Sequence, residues 1–234
     1  MPKKPAGFHF TMTKNQLVLG LIWLPVHFFV LPVLLPLMTL LYPGGMEETT
    51  VNVVFQGLSF TFLMVVMFGY LKNEFFTLLE RKIRSLLTVA GGWMMNLVLA
   101  MAVVWLMEFL VPELLALNPN QETMQELGEM GKGALFAVAV CLAPIVEETL
   151  FRGCLFGAIR RRHRALAYAV SALAFSLLHV WQYAVVYLDL SQLLYIVQYL
   201  PVSIALAWCY ERSGSLWTSI FLHMFINAIA LSLF

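Results

Sequence analysis

The stretch GALFAVAVCLAPIVEETLFRGCLFGA, residues 133–158, has the length and apolar character of a membrane-spanning helix. It nevertheless holds three ionisable residues within six positions: Glu147, Glu148 and Arg152. A charged side chain at bilayer depth costs about 2.5–3.5 kcal/mol on insertion scales, so such groups normally face a bundle interior or a wet cavity. We therefore expect this helix to be packed among others and to carry the functional site.

The composition of the whole chain is that of an integral membrane protein. Of its 234 residues, 61% are hydrophobic and only 12% are charged, and the mean hydropathy is +0.84. A soluble domain has roughly twice that charged fraction. The net charge of +1 gives no indication of a nucleic-acid partner, and the spans leave no room for a sizeable soluble domain.

Apolar runs with short polar breaks predict an all-α, polytopic transmembrane helix bundle of about seven to eight spans. The seven runs cover residues 16–41, 51–71, 86–111, 133–158, 165–187, 190–209 and 215–234. The first run is too long for the apolar part of a signal peptide and no cleavage site follows it, so we interpret it as a retained span. Its prolines, Pro25, Pro32 and Pro36, predict a kinked or broken helix.

We expect a single integral membrane domain with two parts. Residues 1–130 hold the N-terminal spans, and residues 131–234 hold the ionisable cluster. Within the first part, residues 72–85 carry apolar side chains on one broad helical face and predict an interfacial amphipathic helix. Residues 112–132 contain a turn signal followed by polar residues and predict an outside loop with a short solvated helix.

The basic residues indicate how the chain is oriented. If the N-terminus is cytoplasmic, the inside segments hold twelve of the fourteen Lys and Arg residues, and the outside segments hold only Lys132. This asymmetry is what the positive-inside rule describes, and seven spans keep it in phase. We therefore predict a cytoplasmic N-terminus and an outside C-terminus.

The cysteines give no sign of a disulfide or of a metal-binding motif. Cys141, Cys154 and Cys209 all lie in apolar segments and lack CxxC spacing. We interpret them as reduced, buried small residues.

Three fragments place polar groups on predicted spans. Glu148 and Arg152 are four residues apart, so they share one helix face, with the acid in the favourable N-terminal position. Glu147 is rotated from Glu148 by about 100° and is thus freer to face another partner. His179 follows Phe175 on the fifth span, and the seventh span carries His223 and Asn227, again four residues apart.

Counting from the predicted cytoplasmic ends at 1.5 Å per residue puts Glu147 at roughly 18 Å, His179 at ~21 Å, His223 at ~12 Å and Asn227 at ~18 Å. These depths are compatible with one layer. A carboxylate, two imidazoles and an amide suit the activation of water and the stabilisation of an oxyanion.

Each element also has a purely structural interpretation. The Glu148–Arg152 pair is about as suited to fixing helix packing as to contacting a substrate. A single histidine in a transmembrane helix is more often an interhelical hydrogen-bonding group than a catalyst, and we assign His27 to that class. Asn227 alone would be interpreted in the same way. The joint occurrence at matched depth favours chemistry.

The ordered set EExxxR (Glu147, Glu148, Arg152), FxxxH (Phe175, His179) and HxxxN (His223, Asn227) resembles the CAAX protease and bacteriocin-processing family, also called the Abi family. The resemblance covers about residues 130–234 and makes residues 131–234 a protease core of that type. It implies an intramembrane endopeptidase that acts on a membrane-anchored peptide or protein, and we expect it in a bacterial plasma membrane.

The resemblance also implies roles for the site residues. Glu147 would deprotonate the attacking water and His179 would help to hold it, while His223 and Asn227 would stabilise the oxyanion. Glu148 and Arg152 would order the site, with Arg152 near a substrate carboxylate. No cofactor is certain: such proteins are commonly labelled metalloproteases, and Glu147, His179 and His223 match the three protein ligands of a catalytic zinc. We favour a metal-free glutamate mechanism.

Two other functions remain open at this level. A non-catalytic membrane scaffold or bacteriocin-immunity protein would keep the same residues and act by binding a partner, because family resemblance does not establish turnover. A small transporter would use the acids and histidines as a proton relay, but the chain shows no internal repeat, which transporters usually have. The sequence identifies neither the substrate, prenylated or not, nor the oligomeric state.

Overall fold

A computed structural model describes Phe8, residues 10–39, 48–112, 119, 122, 133 and 136–232, and contains helices and no strands over that part of the chain. The predicted all-α class is therefore confirmed. The elements are α1 (Lys14–Pro25), π1 (Val26–Val30), α2 (Leu31–Thr39), α3 (Glu48–Glu80), α4 (Lys82–Leu110), π2 (Ala137–Leu142), α5 (Ala143–Glu147), π3 (Glu148–Phe156), α6 (Gly157–Arg160), α7 (Arg164–Leu178), α8 (Trp181–Val186), the 3₁₀ helix Leu190–Tyr195, α9 (Ile196–Ser213) and α10 (Leu216–Ser232).

Four helical stretches are long and apolar enough to cross a membrane: Lys14–Leu35, Thr50–Glu80, Lys82–Leu110 and Leu190–Ser213. Two shorter apolar helices, α7 and α10, correspond to the fifth and seventh predicted spans. The fourth predicted span is the continuous run from π2 to α6, which we call the site helix (Ala137–Arg160). Each predicted span thus has a helical counterpart, and the predicted number of spans is roughly consistent with this structure.

Exposed apolar side chains are what a helix facing lipid requires. On α4 only 11% of the apolar window is buried, and Trp105 and Phe109 are 73% and 80% exposed. Its backbone groups are paired within the helix, which lets such a segment lie in hydrocarbon. Together with its four long apolar helices, this makes the chain an integral membrane protein.

The first span begins at a capping box and continues past its first proline. Thr13 accepts a hydrogen bond from the backbone N–H of Gln16 and donates its own N–H to the Gln16 side chain. After Pro25 the backbone widens into π1 and then continues as α2. The prolines therefore make this span irregular, as predicted, without ending it.

The interfacial helix predicted at residues 72–85 is not a separate element, and its position at a membrane interface stays a prediction. α3 runs as one 33-residue helix to Glu80, and the chain turns only at Arg81 before α4 begins. The segment 72–80 contains neither Gly nor Pro, so nothing in it ends the helix. Within it, Glu74 is buried and accepts the backbone N–H of Leu216 at 2.8 Å, which attaches this part of α3 to the start of α10. The outside loop predicted at 112–132 lies almost wholly outside the described residues.

The core lies where α3, the site helix, α7, α9 and α10 meet. Its fully buried side chains include Leu63, Met67, Leu150, Phe151, Phe175, Leu206 and Ile220. Two glycines allow close helix approach: a Cβ at Gly20 would overlap the sulfur of Cys154, and a Cβ at Gly92 would overlap that of Cys209. All three cysteines are free thiols, but Cys141 is exposed, so its predicted burial is wrong. An apolar position on a membrane helix faces lipid as readily as the core.

Candidate active site

The site helix is wider than an α-helix over much of its length. In π2 the N–H of Ala143 reaches back five residues to the carbonyl of Val138, and π3 continues this geometry from Glu148 to Phe156. Such π segments occur frequently at functional sites, because the extra residue changes the direction of the side chains around it. Glu147 lies directly before π3, Glu148 is its first residue and Arg152 lies at its centre.

Glu148 and Arg152 form the predicted pair. Oε1 of Glu148 is 2.9 Å from Nη1 of Arg152, and both side chains are completely buried. Glu148 has two further partners on α10: His223 Nδ1 donates to Oε1 at 3.0 Å, and the hydroxyl of Ser219 donates to Oε2. Both oxygens of Glu148 are therefore occupied, which suits an anchor between two helices.

Arg152 is equally committed to its neighbours. Its Nη2 donates to the hydroxyl of Ser203 at 2.8 Å and to the carbonyl of the same residue at 3.1 Å. The guanidinium lies over the ring of Phe175, 4.1 Å from the centroid. Arg152 thus joins the site helix to α9 and α7, and its side chain is completely buried.

Glu147 differs from Glu148 in having an oxygen that is not satisfied. Its Oε2 is buried and has no hydrogen-bond partner among the described residues. Nε2 of His223 lies 3.9 Å from this oxygen, which is beyond hydrogen-bond length. The imidazole of His223 therefore lies between the two glutamates, bonded to Glu148 and facing Glu147.

His179 is fixed by its own helix. Its Nδ1 donates to the carbonyl of Phe175 at 2.9 Å, which leaves Nε2 as the nitrogen available to another group. The ring stacks on Tyr199, with centroids 4.6 Å apart. α7 ends at Leu178, so the single helix predicted for residues 165–187 is instead divided into α7 and α8 around His179.

Phe175 connects the three parts of the site. Besides Arg152, its ring contacts His179 at 4.7 Å and His223 at 5.7 Å between centroids. The FxxxH fragment therefore supplies a packing centre as well as a histidine.

Asn227 makes an interhelical hydrogen bond. Its amide nitrogen donates to the carbonyl of Ala139 on π2 at 2.8 Å. In the five-residue pattern of π2 this carbonyl would accept from residue 144, which is a proline and has no N–H. Asn227 supplies the missing donor with one of its two N–H groups. It therefore acts as an interhelical hydrogen-bonding group in this structure.

The three residues considered as zinc ligands, Glu147, His179 and His223, are not assembled as a metal site here. No group of three or more His, Cys, Asp or Glu side chains within the described part of the chain is arranged to hold a metal ion. A catalytic zinc needs three protein ligands besides water. The assignment of Glu147, His179 and His223 as zinc ligands therefore stays a prediction.

Sequence reasoning missed Ser203 and Ser219, which complete the anchoring of Arg152 and Glu148. A signal existed for Ser219, because Ser219, His223 and Asn227 recur every four residues and share one face of α10. Ser203 has no such spacing, and only the packing of α9 against the site helix brings it to Arg152.

Comparison with known proteins bears on the same part of the chain. Residues 131–229 match the family model described as type II CAAX prenyl endopeptidase Rce1-like. No curated protein and no solved structure is significantly similar to this chain. The family match confirms the resemblance predicted from the three motifs, and it contains all six candidate site residues.

Proposed function

Because residues 131–229 match the family model described as type II CAAX prenyl endopeptidase Rce1-like, we propose that this protein is an intramembrane endopeptidase. Its substrate is a membrane-anchored peptide or protein, and its reaction is the hydrolysis of one peptide bond by an activated water. We propose a bacterial plasma membrane as its location. The distribution of basic residues supports a cytoplasmic N-terminus.

The unsatisfied oxygen of Glu147 is the observation that carries this proposal. A buried carboxylate oxygen without a hydrogen-bond donor is costly, and a bound water is the simplest group to satisfy it. Such a water gives its proton to Glu147 while its oxygen attacks the scissile carbonyl carbon. The proton then passes to the leaving amine, so that the amide bond is replaced by a carboxyl group and an amine.

The neighbouring residues take supporting roles. The bond from Nδ1 of His223 to Glu148 fixes the imidazole so that Nε2 faces Glu147 and the water. His179 presents Nε2 to the same reaction, and the second N–H of Asn227 is a donor for the oxyanion. Glu148 and Arg152 hold this arrangement without contacting the substrate.

The mechanism we propose is the metal-free glutamate type. Glu147 is the base in this scheme. A base needs no metal, so the scheme does not depend on Glu147, His179 and His223 forming a set of zinc ligands. The measurement that separates the two types is cleavage by the purified protein with and without a chelator. Cleavage lost to the chelator and restored by zinc would overturn the metal-free form and make Glu147 a ligand.

A scaffold function is the second candidate, and it is favoured by one specific observation. Three of the site residues, Glu148, Arg152 and Asn227, are engaged in contacts between helices. A protein that acts only by binding a partner needs these contacts and no free carboxylate. Activity that depends on Glu147 is what distinguishes the enzyme from the scaffold.

The test is a cleavage assay with the full-length protein in lipid nanodiscs and a lipid-anchored fluorescent reporter peptide. Glu147→Gln is nearly isosteric but does not accept the proton, so we expect cleavage to fall by at least 10²–10⁴-fold. Glu80→Gln, at the exposed end of α3, is the matched control and should cleave like the wild type. Full cleavage by a well-folded Glu147→Gln protein would refute the assignment of the base.

A further inference from the structure

The first span brings a third histidine to the neighbourhood of the site. His27 lies on π1, is 1% exposed, and stacks on Phe55 of α3 with ring centroids 4.7 Å apart. Its Nδ1 is 2.9 Å from the hydroxyl of Ser59. Its Nε2 is buried and has no hydrogen-bond partner among the described residues. A phenylalanine would give the same packing without an unpaired nitrogen, so the nitrogen itself calls for an explanation.

π1 lies beside the site rather than elsewhere in the bundle. The ring of Phe28 is 6.4 Å from that of Phe151 on the site helix and 6.2 Å from that of Trp181 at the start of α8. Trp181 follows His179 by two residues in the chain. π1, which carries His27, therefore packs beside the segment that follows His179, and it comes from a part of the chain that the family match does not cover.

Two more buried polar atoms that have no hydrogen-bond partner among the described residues lie on the segments that contact π1. One is Oε1 of Gln56, which lies three residues before Ser59 on α3 and so on the same face of that helix. The other is the indole N–H of Trp181. The oxygen of Gln56 is an acceptor, the N–H of Trp181 is a donor, and Nε2 of His27 is one or the other according to its tautomer. All three are unpaired among the described residues and lie on π1 or on segments that contact it.

We propose that His27, Gln56 and Trp181 form a subsite that binds main-chain N–H and C=O groups of the substrate peptide. This inference rests on the peptidase function proposed above and adds where the substrate is held beside Glu147. A peptide backbone offers donors and acceptors at regular spacing, whereas a lipid tail offers neither. The three residues are binding residues, and the chemical step does not pass through them.

The test uses three substitutions of His27 that separate its two nitrogens. His27→Phe keeps the packing and removes both, His27→Asn keeps an amide near the Nδ1 position, and His27→Gln keeps one near Nε2. For the cleavage of the lipid-anchored reporter, we expect His27→Phe to raise KM roughly 3- to 10-fold, with kcat changed less than about twofold. His27→Gln should restore KM, and His27→Asn should not.

A merely structural role for His27 predicts the reverse. If the bond to Ser59 is all that matters, His27→Asn restores KM, His27→Gln does not, and KM follows the melting temperature of each variant. That pattern would overturn the proposal. His163→Phe, which alters an exposed imidazole in the loop between α6 and α7, is the matched control and should leave KM unchanged. Trp181→Phe removes the indole N–H and one ring of the side chain. If KM is unchanged in both Trp181→Phe and His27→Phe, the subsite is also overturned.

Binding measurements distinguish failure of the subsite from failure of the peptidase function. In the Glu147→Gln background, the Kd of the uncleaved reporter should rise about 3- to 10-fold when His27→Phe is added. If the wild type does not cleave but this rise is seen, the peptidase function fails and the subsite stands. If the wild type cleaves with dependence on Glu147 and the rise is absent, only the subsite fails.

Discussion

Two Arg–Glu clusters of this protein have the same chemistry in opposite surroundings. At the site, Glu148 and Arg152 are completely buried, 2.9 Å apart, with Ser203, Ser219 and His223 as further partners. At the predicted cytoplasmic end, Glu211 accepts from Arg160, from Arg164 at 2.9 Å and from the hydroxyl of Tyr168 at 2.7 Å. There the Arg164 side chain is 64% exposed.

The difference shows that burial decides how much an ion pair matters, even where hydrogen-bond geometry is similar. Water and salt replace the partners of an exposed group, whereas nothing replaces the partners of a buried one. The site cluster should therefore fail as a unit when one member is removed. In the Glu211 cluster only Arg164 is well exposed, whereas Glu211 is 10% exposed, so Arg164 is the member whose loss should have little effect.

Arg152→Ala should have the largest effect on stability. It leaves Glu148 as an uncompensated buried charge and should lower the free energy of unfolding by about 3–5 kcal/mol. The double substitution Glu148→Gln with Arg152→Gln removes both charges and should be milder than Arg152→Ala alone. Thermal unfolding of the purified proteins in detergent measures both, with the exposed Arg162→Ala as control. If the double variant loses as much free energy of unfolding as the two single variants added together, the pair does not interact.

Ser219→Ala should have the next largest effect. It removes the hydroxyl that donates to Oε2 of Glu148 and leaves a buried charged oxygen without its donor, which costs about 1–3 kcal/mol. The adjacent Thr218→Val is the matched control, because the hydroxyl of Thr218 is buried and has no hydrogen-bond partner in the described part of the chain. Its loss should be neutral or stabilising in the same unfolding measurement. A stability loss at Thr218 as large as at Ser219 would contradict the hydrogen-bond explanation.

Asn227→Ala separates the structural role of the amide from its catalytic one. Loss of its bond to the carbonyl of Ala139 should cost about 0.6 kcal/mol and no more than about 1.7, the range for interhelical bonds in membranes. If the second N–H stabilises the oxyanion, cleavage should nevertheless fall about 10²–10³-fold. Comparing the melting temperature with kcat on the same sample decides the matter. A loss of cleavage that only follows the loss of folded protein would leave Asn227 with its structural role alone.

Arg164→Ala should have the smallest effect. An exposed pair is worth about 0.2–1 kcal/mol, and Glu211 keeps Arg160 and Tyr168 as partners. The difference in melting temperature between Arg164→Ala and the wild type should shrink further as salt is raised, because the exposed pair is screened. The effect of Arg152→Ala should not respond to salt. Similar salt sensitivity of the two variants would remove the distinction between the clusters.

Much of the local structure is written in the sequence. Contacts between residues four apart depend only on helix geometry, which is why the Glu148–Arg152 pair and the shared face of His223 and Asn227 were predictable. The apolar runs likewise predict helices at the right places, since a lipid environment leaves a single chain segment few other ways to pair its backbone. The boundary predicted between the second span and residues 72–85 is absent from the structure, because no Gly or Pro ends the helix there.

Contacts between distant segments were decided by the tertiary structure. The sequence by itself separated Glu147 from Glu148 by a rotation, but only the packing of α10 gave Glu148 its partners Ser219 and His223 and left an oxygen of Glu147 unpaired. The same holds for the exposure of Cys141 and for the packing of π1, which carries His27, against Trp181. The physical reason is that the rotation of each helix about its axis, altered here by the π segments, selects which faces meet, and no spacing within one helix encodes that choice.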